Sequence, residues 1–272
     1  MRFLGVDLAW KDGNPSGVAL LGGQRFPLHL RETPHTLPRH ADVLGWVARH
    51  VAHHRASVGI DAPLLGLGHS RRECENEISR KFGSFDASTH STPSYPGLKE
   101  FAHELTAAHG ISAAGPDVEP AAGRPAIREV YPNAFQVLLF DLKRGMKIVK
   151  YKKRRFGPNA RWASEGLGPF VRRTAQVIGR RYVVNSDPAW LALVAENPRP
   201  GMSGAQLKSI EDRWDAVLCA LAVAFESLTP GSMRFYPDGP VAWRLGYILA
   251  PALPARRLQA GAPRRARRSR PS

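Results

Sequence analysis

Residues 2–10, Arg2-Phe3-Leu4-Gly5-Val6-Asp7-Leu8-Ala9-Trp10, form an apolar run with one carboxylate inside it. The arrangement returns in Val58-Gly59-Ile60-Asp61-Ala62-Pro63, in Ile127-Arg128-Glu129-Val130-Tyr131-Pro132 and in Asp212-Arg213-Trp214-Asp215-Ala216-Val217-Leu218. An ionised carboxylate is costly to take out of water unless it is paired or bound to a metal. A chain that builds its core from such segments is therefore constrained to bring their acids together at a polar place. Several acids converging on one place imply a cation, and the working expectation is a metal-dependent phosphodiesterase site.

The order of elements narrows the fold. Residues 3–9, 17–22 and 25–30 read as strands, separated by the turn signals Asp12-Gly13-Asn14-Pro15-Ser16-Gly17 and Gly22-Gly23. Such short connections leave room only for antiparallel hairpins. A helix over 38–54, with Leu44, Val47 and Val51 on one face, leads to the short apolar strand Ser57-Val58-Gly59-Ile60-Asp61, of the kind buried in a sheet covered on both faces. Ser70 is expected to cap a helix ending near Phe82, and 97–109 is helical too. The Ser/Thr/Pro loop over 84–96 between them is long enough to be a lid or to contact substrate. A fifth strand over 127–131 follows an Ala/Gly/Pro stretch at 113–125 that reads as a flexible insertion.

Helices are predicted near 160–180 and 188–196, the second preceded by Asp187 as its cap. A long helix over 203–227 carries Asp212 and Asp215 in its first half. Its second half is apolar nearly all round, so it must pack against the sheet. A strand-like segment over 242–250 closes the pattern. No internal repeat or domain boundary is visible, so 1–254 reads as one domain and 255–272 as a disordered, Arg-rich tail.

The net charge of +16 resembles a nucleic-acid signature, but it is localised. Eight of those charges lie in the acid-free segment 143–155, as Lys143, Arg144, Lys147, Lys150, Lys152, Lys153, Arg154 and Arg155. Seven lie in the tail, as Arg256, Arg257, Arg264, Arg265, Arg267, Arg268 and Arg270, which leaves the body nearly neutral. No apolar stretch reaches the ~20 residues of a membrane span, and Asp7 interrupts any secretion signal, so a soluble, cytoplasmic protein is expected. Cys74 and Cys219 are far apart in sequence and read as small packing residues rather than a disulfide or zinc site.

Three antiparallel strands, then two further strands and an acid-bearing helix, is the order of the α/β ribonuclease-H-like fold. That fold has a mixed sheet of order 3-2-1-4-5 flanked by helices. The residues Gly5-Val6-Asp7, Ile60-Asp61-Ala62-Pro63, Glu129-Val130-Tyr131-Pro132 and Asp212-Arg213-Trp214-Asp215-Ala216 resemble domain-of-unknown-function family 429 (DUF429), described as predicted nucleases with that fold. The helix over 71–83, Lys150-Tyr151-Lys152-Lys153 and Gly246-Tyr247-Ile248-Leu249-Ala250-Pro251 also fit, and Asp-x-x-Asp-Ala resembles the Holliday-junction resolvases.

The resemblance implies a hydrolase whose carboxylates hold Mg²⁺ or Mn²⁺. Phosphodiester hydrolysis needs an in-line water, charge stabilisation on the phosphoryl oxygens and relief of the leaving oxygen. Two Mg²⁺ ions ~3.5–4 Å apart supply all three, and a few carboxylates suffice to hold them. Asp7 would bridge both ions, Asp61 and Asp215 would complete the two positions, Glu129 would be a fourth ligand or orient water, and Asp212 would be an alternate ligand. Lys150, Lys152, Lys153, Arg154 and Arg155 would hold the DNA or RNA backbone.

Each assignment has an alternative: Glu129 could pair with a core arginine, and Asp212 could be a solvated helix residue. Gly66-Leu67-Gly68 lacks the third glycine of a dinucleotide site, and Gly201-Met202-Ser203-Gly204 is not a nucleophile elbow. His69 and His90 sit in loops where they could serve proton transfer. Two other functions stay open: a catalytically inert nucleic-acid binder, and an enzyme acting on a small phosphorylated metabolite.

Overall fold

The structure is a computed structural model, and it describes residues 1–66, 71–89, 96–109, 124–239 and 245–253. His69, Ser70, His90, most of the 113–125 stretch and the Arg-rich tail lie outside these residues.

The chain begins with β1 (Arg2–Asp7) and β2 (Ser16–Gly22), followed by the short strands β3 (His29–Leu30) and β4 (His35–Leu37). Helix α1 (His40–Val51) then leads to β5 (Ala56–Ile60). Helices α2 (Glu73–Phe82) and α3 (Pro96–His109) precede β6 (Ala126–Glu129) and α4 (Pro132–Leu139). A single turn, α5 (Asn159–Arg161), runs through a π-helical segment (Trp162–Leu167) into α6 (Gly168–Arg181). Helices α7 (Pro188–Ala195) and α8 (Gly204–Leu228) and the hairpin β7 (Met233–Tyr236) and β8 (Ile248–Pro251) complete the order.

The main sheet runs β3-β2-β1-β5-β6, with β4 also paired to β2. β1, β2 and β3 pair antiparallel, whereas β1, β5 and β6 run parallel. This is a mixed sheet flanked by helices, in the expected order, with one difference. The third strand is divided: β3 pairs with Leu21 and Gly22 of β2, and β4 with Ser16, Gly17 and Val18 further along the same edge. Pro34 lies between the two and has no N–H to give a ladder. The closing segment also differs, because β8 pairs with β7 in a separate two-stranded sheet. It meets the main sheet through a bridge from Leu249 to Val130, through the Tyr247 hydroxyl, which donates to the Ile127 carbonyl at 3.1 Å, and through Arg128, which lies over the Phe235 ring.

Side chains alternate across the sheet. Leu4, Val6, Val18, Leu20, Val58 and Ile60 pack with Val43, Trp46 and Val47 of α1 and with Leu98, Phe101 and Leu105 of α3. The opposite face is covered by α8, which is buried from Ile210 to Phe225. It lies close because glycines meet it. A Cβ on Gly5 would fall 1.9 Å from the Ala216 carbonyl oxygen, one on Gly17 2.1 Å from that of Asp212, and one on Gly59 2.4 Å from that of Cys219. Gly5 and Gly59 are register partners, and Gly17 pairs with Asp7, so the three form a trough across the middle of the sheet. Beyond α8 a second layer of α4, the π-helical segment and α6 contributes Phe135, Trp162 and Phe170 to the core. Cys74 and Cys219 are both buried and free, as their sequence positions suggest.

Among the described residues, no helix is long and apolar enough to cross a membrane.

Candidate active site

The parallel pairing of β1 and β5 brings their carboxyl ends to one edge, and this edge carries the acids. Asp7 is the last residue of β1, and Asp61 follows β5 with its N–H donated to the Val6 carbonyl at 2.9 Å. Alternation places Asp7 and Asp61 on the face of Gly5 and Gly59, the face that α8 covers. The glycine trough then sets the α8 side chains against them. Lys208, Glu211, Asp212 and Asp215 are spaced i, i+3, i+4 and i+7, one stripe of the helix.

Asp7, Trp10, Asp61, Lys152, Arg154, Lys208 and Asp212 line a cleft of about 570 Å³. Asp215 lies behind that wall, 0% exposed, with both oxygens engaged. The Tyr151 hydroxyl donates to its Oδ1 at 2.5 Å, and Lys152 Nζ donates to its Oδ2 at 2.5 Å. Lys152 also donates to Glu211 Oε1 at 3.1 Å. Lys208 bonds the same Glu211 oxygen at 2.8 Å and pairs with Asp212 Oδ1. Two buried oxygens of this cluster, Asp7 Oδ2 and Glu211 Oε2, have no hydrogen-bond partner among the described residues.

Crowded acids hold their protons. Loss of hydration, reinforced by the charge of Asp7, pushes the Asp212 carboxyl up to about 9. The same two causes raise Asp61 well above its usual value, against the pull of Lys152. Asp215 rises to about 6, because burial with Asp7 and Glu211 nearby outweighs its contact with Lys152.

The donor set is one that a hard divalent cation takes, carboxylate oxygens from separate elements. The unpartnered Asp7 Oδ2 faces such a role, so the residues present fit Mg²⁺ or Mn²⁺, with Asp7, Asp61 and Asp212 as the cleft-lining holders. Among the described residues no three acid, imidazole or thiol side chains stand together as a ready-made metal cage. Lysine ammonium groups occupy part of the space between the acids.

Glu129, expected as a fourth ligand, has a different set of contacts. It is the register partner of Ile60, on the strand face opposite Asp7 and Asp61, yet it lines the same cleft, as do Arg72 and Glu75. Arg72 grips it through Nη1 to Oε2 at 2.9 Å and Nη2 to Oε1 at 2.6 Å, and the Leu64 N–H donates to Oε2 at 3.1 Å. Arg72 also donates to the Leu65 carbonyl at 2.9 Å and to Glu75 Oε1 at 2.9 Å. Glu129 thus fastens the segment that follows Asp61, and it is Arg72, rather than Ser70, that stands at the N-cap of α2.

The five basic residues do not form one patch. Lys152 is embedded among the acids, Arg154 lines the cleft, and Lys150 donates to the Asp86 carbonyl. Lys153 lies over the Trp162 ring at 5.7 Å, and Arg155 is exposed on the same turn. Asp187 occupies the N-cap position of α7, but its carboxylate accepts from the Leu30 N–H at 2.9 Å and contacts His29 at 3.1 Å, tying β3 to the helix instead.

Lys208, Glu211 and Arg72 were not singled out from sequence, and Tyr151 entered only within the motif Lys150-Tyr151-Lys152-Lys153. The α8 pair carried a usable signal, its spacing from Asp212 and Asp215. Arg72 and Tyr151 stood within segments that resemble the family, but local pattern gave neither a role.

Fold and site together define a mixed α/β protein with an acid-lined cleft at the carboxyl edge of its parallel strands. The chain belongs to the family described as protein of unknown function (DUF429), whose model matches residues 5–242. Nothing matched it among curated proteins or among solved structures.

Proposed function

We propose that this protein is a ribonuclease-H-like nuclease that hydrolyses nucleic-acid phosphodiester bonds with the help of Mg²⁺ or Mn²⁺. The observation that carries the reading is the meeting of Asp7, Asp61 and Asp212 at one cleft, with a buried Asp7 oxygen that has no hydrogen-bond partner among the described residues. The strand order supports it, since three antiparallel strands followed by parallel ones is the arrangement expected of that fold. In this reading Asp7, Asp61 and Asp212 hold the cation, which when bound neutralises charge on the phosphoryl oxygens and activates water. Lys152 and Arg154 face the same cleft and position the phosphate. Trp10, 36% exposed on the cleft wall, offers a ring on which a base can stack. A cytoplasmic setting, where nucleic acid and Mg²⁺ are both at hand, belongs to the same proposal.

A second reading rests on the cleft's volume and the nearly neutral body. About 570 Å³ is the size of an ordinary small-molecule site, so a small phosphorylated metabolite is the competing substrate. The test compares Mg²⁺- or Mn²⁺-dependent cleavage of labelled DNA and RNA oligonucleotides with phosphate release from nucleotides and sugar phosphates. Oligonucleotide cleavage that requires the metal and is abolished in Asp7→Asn supports the nuclease. Turnover of small phosphates alone transfers the site to the second reading. Metal-insensitive binding of nucleic acid without turnover would leave a catalytically inert binder.

A further inference from the structure

We propose that Lys152 is a built-in cation of the carboxylate site, filling one of two positions that metal ions would otherwise take, so that the protein binds one divalent ion. The inference rests on the metal-dependent reading above and specifies its cofactor.

Two ions would need the helix carboxylate, Asp215, to turn an oxygen toward the second of them. Its oxygens are instead committed to the Tyr151 hydroxyl at 2.5 Å and to Lys152 Nζ at 2.5 Å, and the side chain has no surface on the cleft. The segment holding these donors is fixed from behind. The Tyr151 ring stacks on Phe170 at 3.8 Å and 10°, and its carbonyl accepts from the Trp162 indole N–H at 2.6 Å. The backbone from which Lys152 extends is therefore held by the packing of Tyr151, and its side chain is 34% exposed against 53% for Lys208.

Between Asp215 and Glu211 that ammonium already makes two charge-assisted hydrogen bonds, at 2.5 and 3.1 Å, which is the charge neutralisation a metal would bring there. An ammonium has three N–H donors, so one is left beyond these two bonds, and Lys152 lines the cleft. Lys208 differs. Its side chain is 53% exposed at the helix surface, so it can swing off Asp212 and leave that carboxylate to an ion held with Asp7 and Asp61.

The test is ion stoichiometry, measured with Mn²⁺ alone on the full chain by calorimetry and by the paramagnetic signal of free Mn²⁺. The wild type is expected to bind one ion. Lys152→Ala, which strips the ammonium from Asp215 and Glu211, is expected to bind two. Asp215→Asn is expected to keep one at millimolar Mn²⁺, because Asp215 is a partner of Lys152 rather than a ligand. Two ions in the wild type, one in Lys152→Ala or none in Asp215→Asn would each overturn the proposal while leaving a metal-dependent enzyme standing. No ion in the wild type would overturn both. Should Lys152→Ala fail to fold, the wild-type and Asp215→Asn counts decide.

Discussion

Two buried charge clusters flank the same edge of the sheet, and they are balanced differently. Around the end of β6, Arg72 meets Glu75 and Glu129 in short, mutually satisfied hydrogen bonds that also hold the Leu64 and Leu65 backbone. Around the end of β1 stand five carboxylates, Asp7, Asp61, Glu211, Asp212 and Asp215, of which the last three pair with the ammonium groups of Lys152 and Lys208, and buried oxygens of Asp7 and Glu211 have no hydrogen-bond partner among the described residues. A satisfied cluster needs nothing further and serves as a clamp. An acid-rich one leaves like charges crowded and buried oxygens unpaired, which under the proposed function a cation would relieve.

The largest expected effect tests the clamp. Arg72→Met removes the counter-charge of two buried glutamates, and breaking a buried pair by deleting one partner costs roughly 3–5 kcal/mol. Urea denaturation should show that loss, whereas Glu129→Gln, which keeps the shape and leaves Arg72 its Glu75, should lose less. The melting shift induced by Mg²⁺ or Mn²⁺ should survive in Glu129→Gln. If it vanishes there, Glu129 is a ligand after all and the contrast between the clusters is false.

A smaller effect, of opposite sign, is expected at the incomplete cluster. Asp212 holds its proton up to about 9 in the folded protein, against a usual value of 3.8. Between those values the folded state keeps a proton that the unfolded chain has released, so metal-free stability falls as pH rises through the window. In chelator, Asp212→Asn should therefore be more stable than the wild type at pH 8 and gain little at pH 4. A cation must displace the same proton, so the melting shift it produces in the wild type should grow from pH 6 to pH 8.5. An equal gain for Asp212→Asn at both pH values would show that the cluster is not holding protons.

Much of this arrangement was legible in the sequence, and the exceptions share a physical cause. Asp7, Asp61, Asp212 and Asp215 were found because each is an acid inside an apolar run, a signal contained in a few consecutive residues. The parallel ends of β1 and β5 and the acid stripe of α8 followed from strand order and helical spacing. What local pattern could not supply is register and depth. Glu129 resembles Asp61 in its run and lines the same cleft, yet it comes from the other strand face and its carboxylate is taken up by Arg72. Lys152 belongs to a uniformly basic segment, and only the packing of Tyr151 against Phe170 separates it from its solvent-facing neighbours. The divided third strand and the β7-β8 hairpin likewise depend on long-range pairing.

The smallest expected effect lies at the rim of the incomplete cluster. Trp10 follows Asp7 by three residues, lines the same cleft and is 36% exposed, so a base stacked on it would cover only part of the ring. Base–aromatic stacking is worth ~1–3 kcal/mol per base, and partial exposure points to the lower end of that range. Trp10→Ala should weaken single-stranded oligonucleotide binding by about that amount without changing its dependence on salt, because no phosphate contact is lost. Arg154→Gln should do the reverse, with a modest loss of affinity and a salt slope shallower by ~0.7, the share of one phosphate contact on a single strand. Neither change removes a carboxylate, so both should leave the Mg²⁺-induced melting shift intact. If Trp10→Ala has no effect on oligonucleotides but weakens a sugar phosphate, the cleft is built for the smaller substrate, and the incomplete cluster serves metabolite chemistry instead.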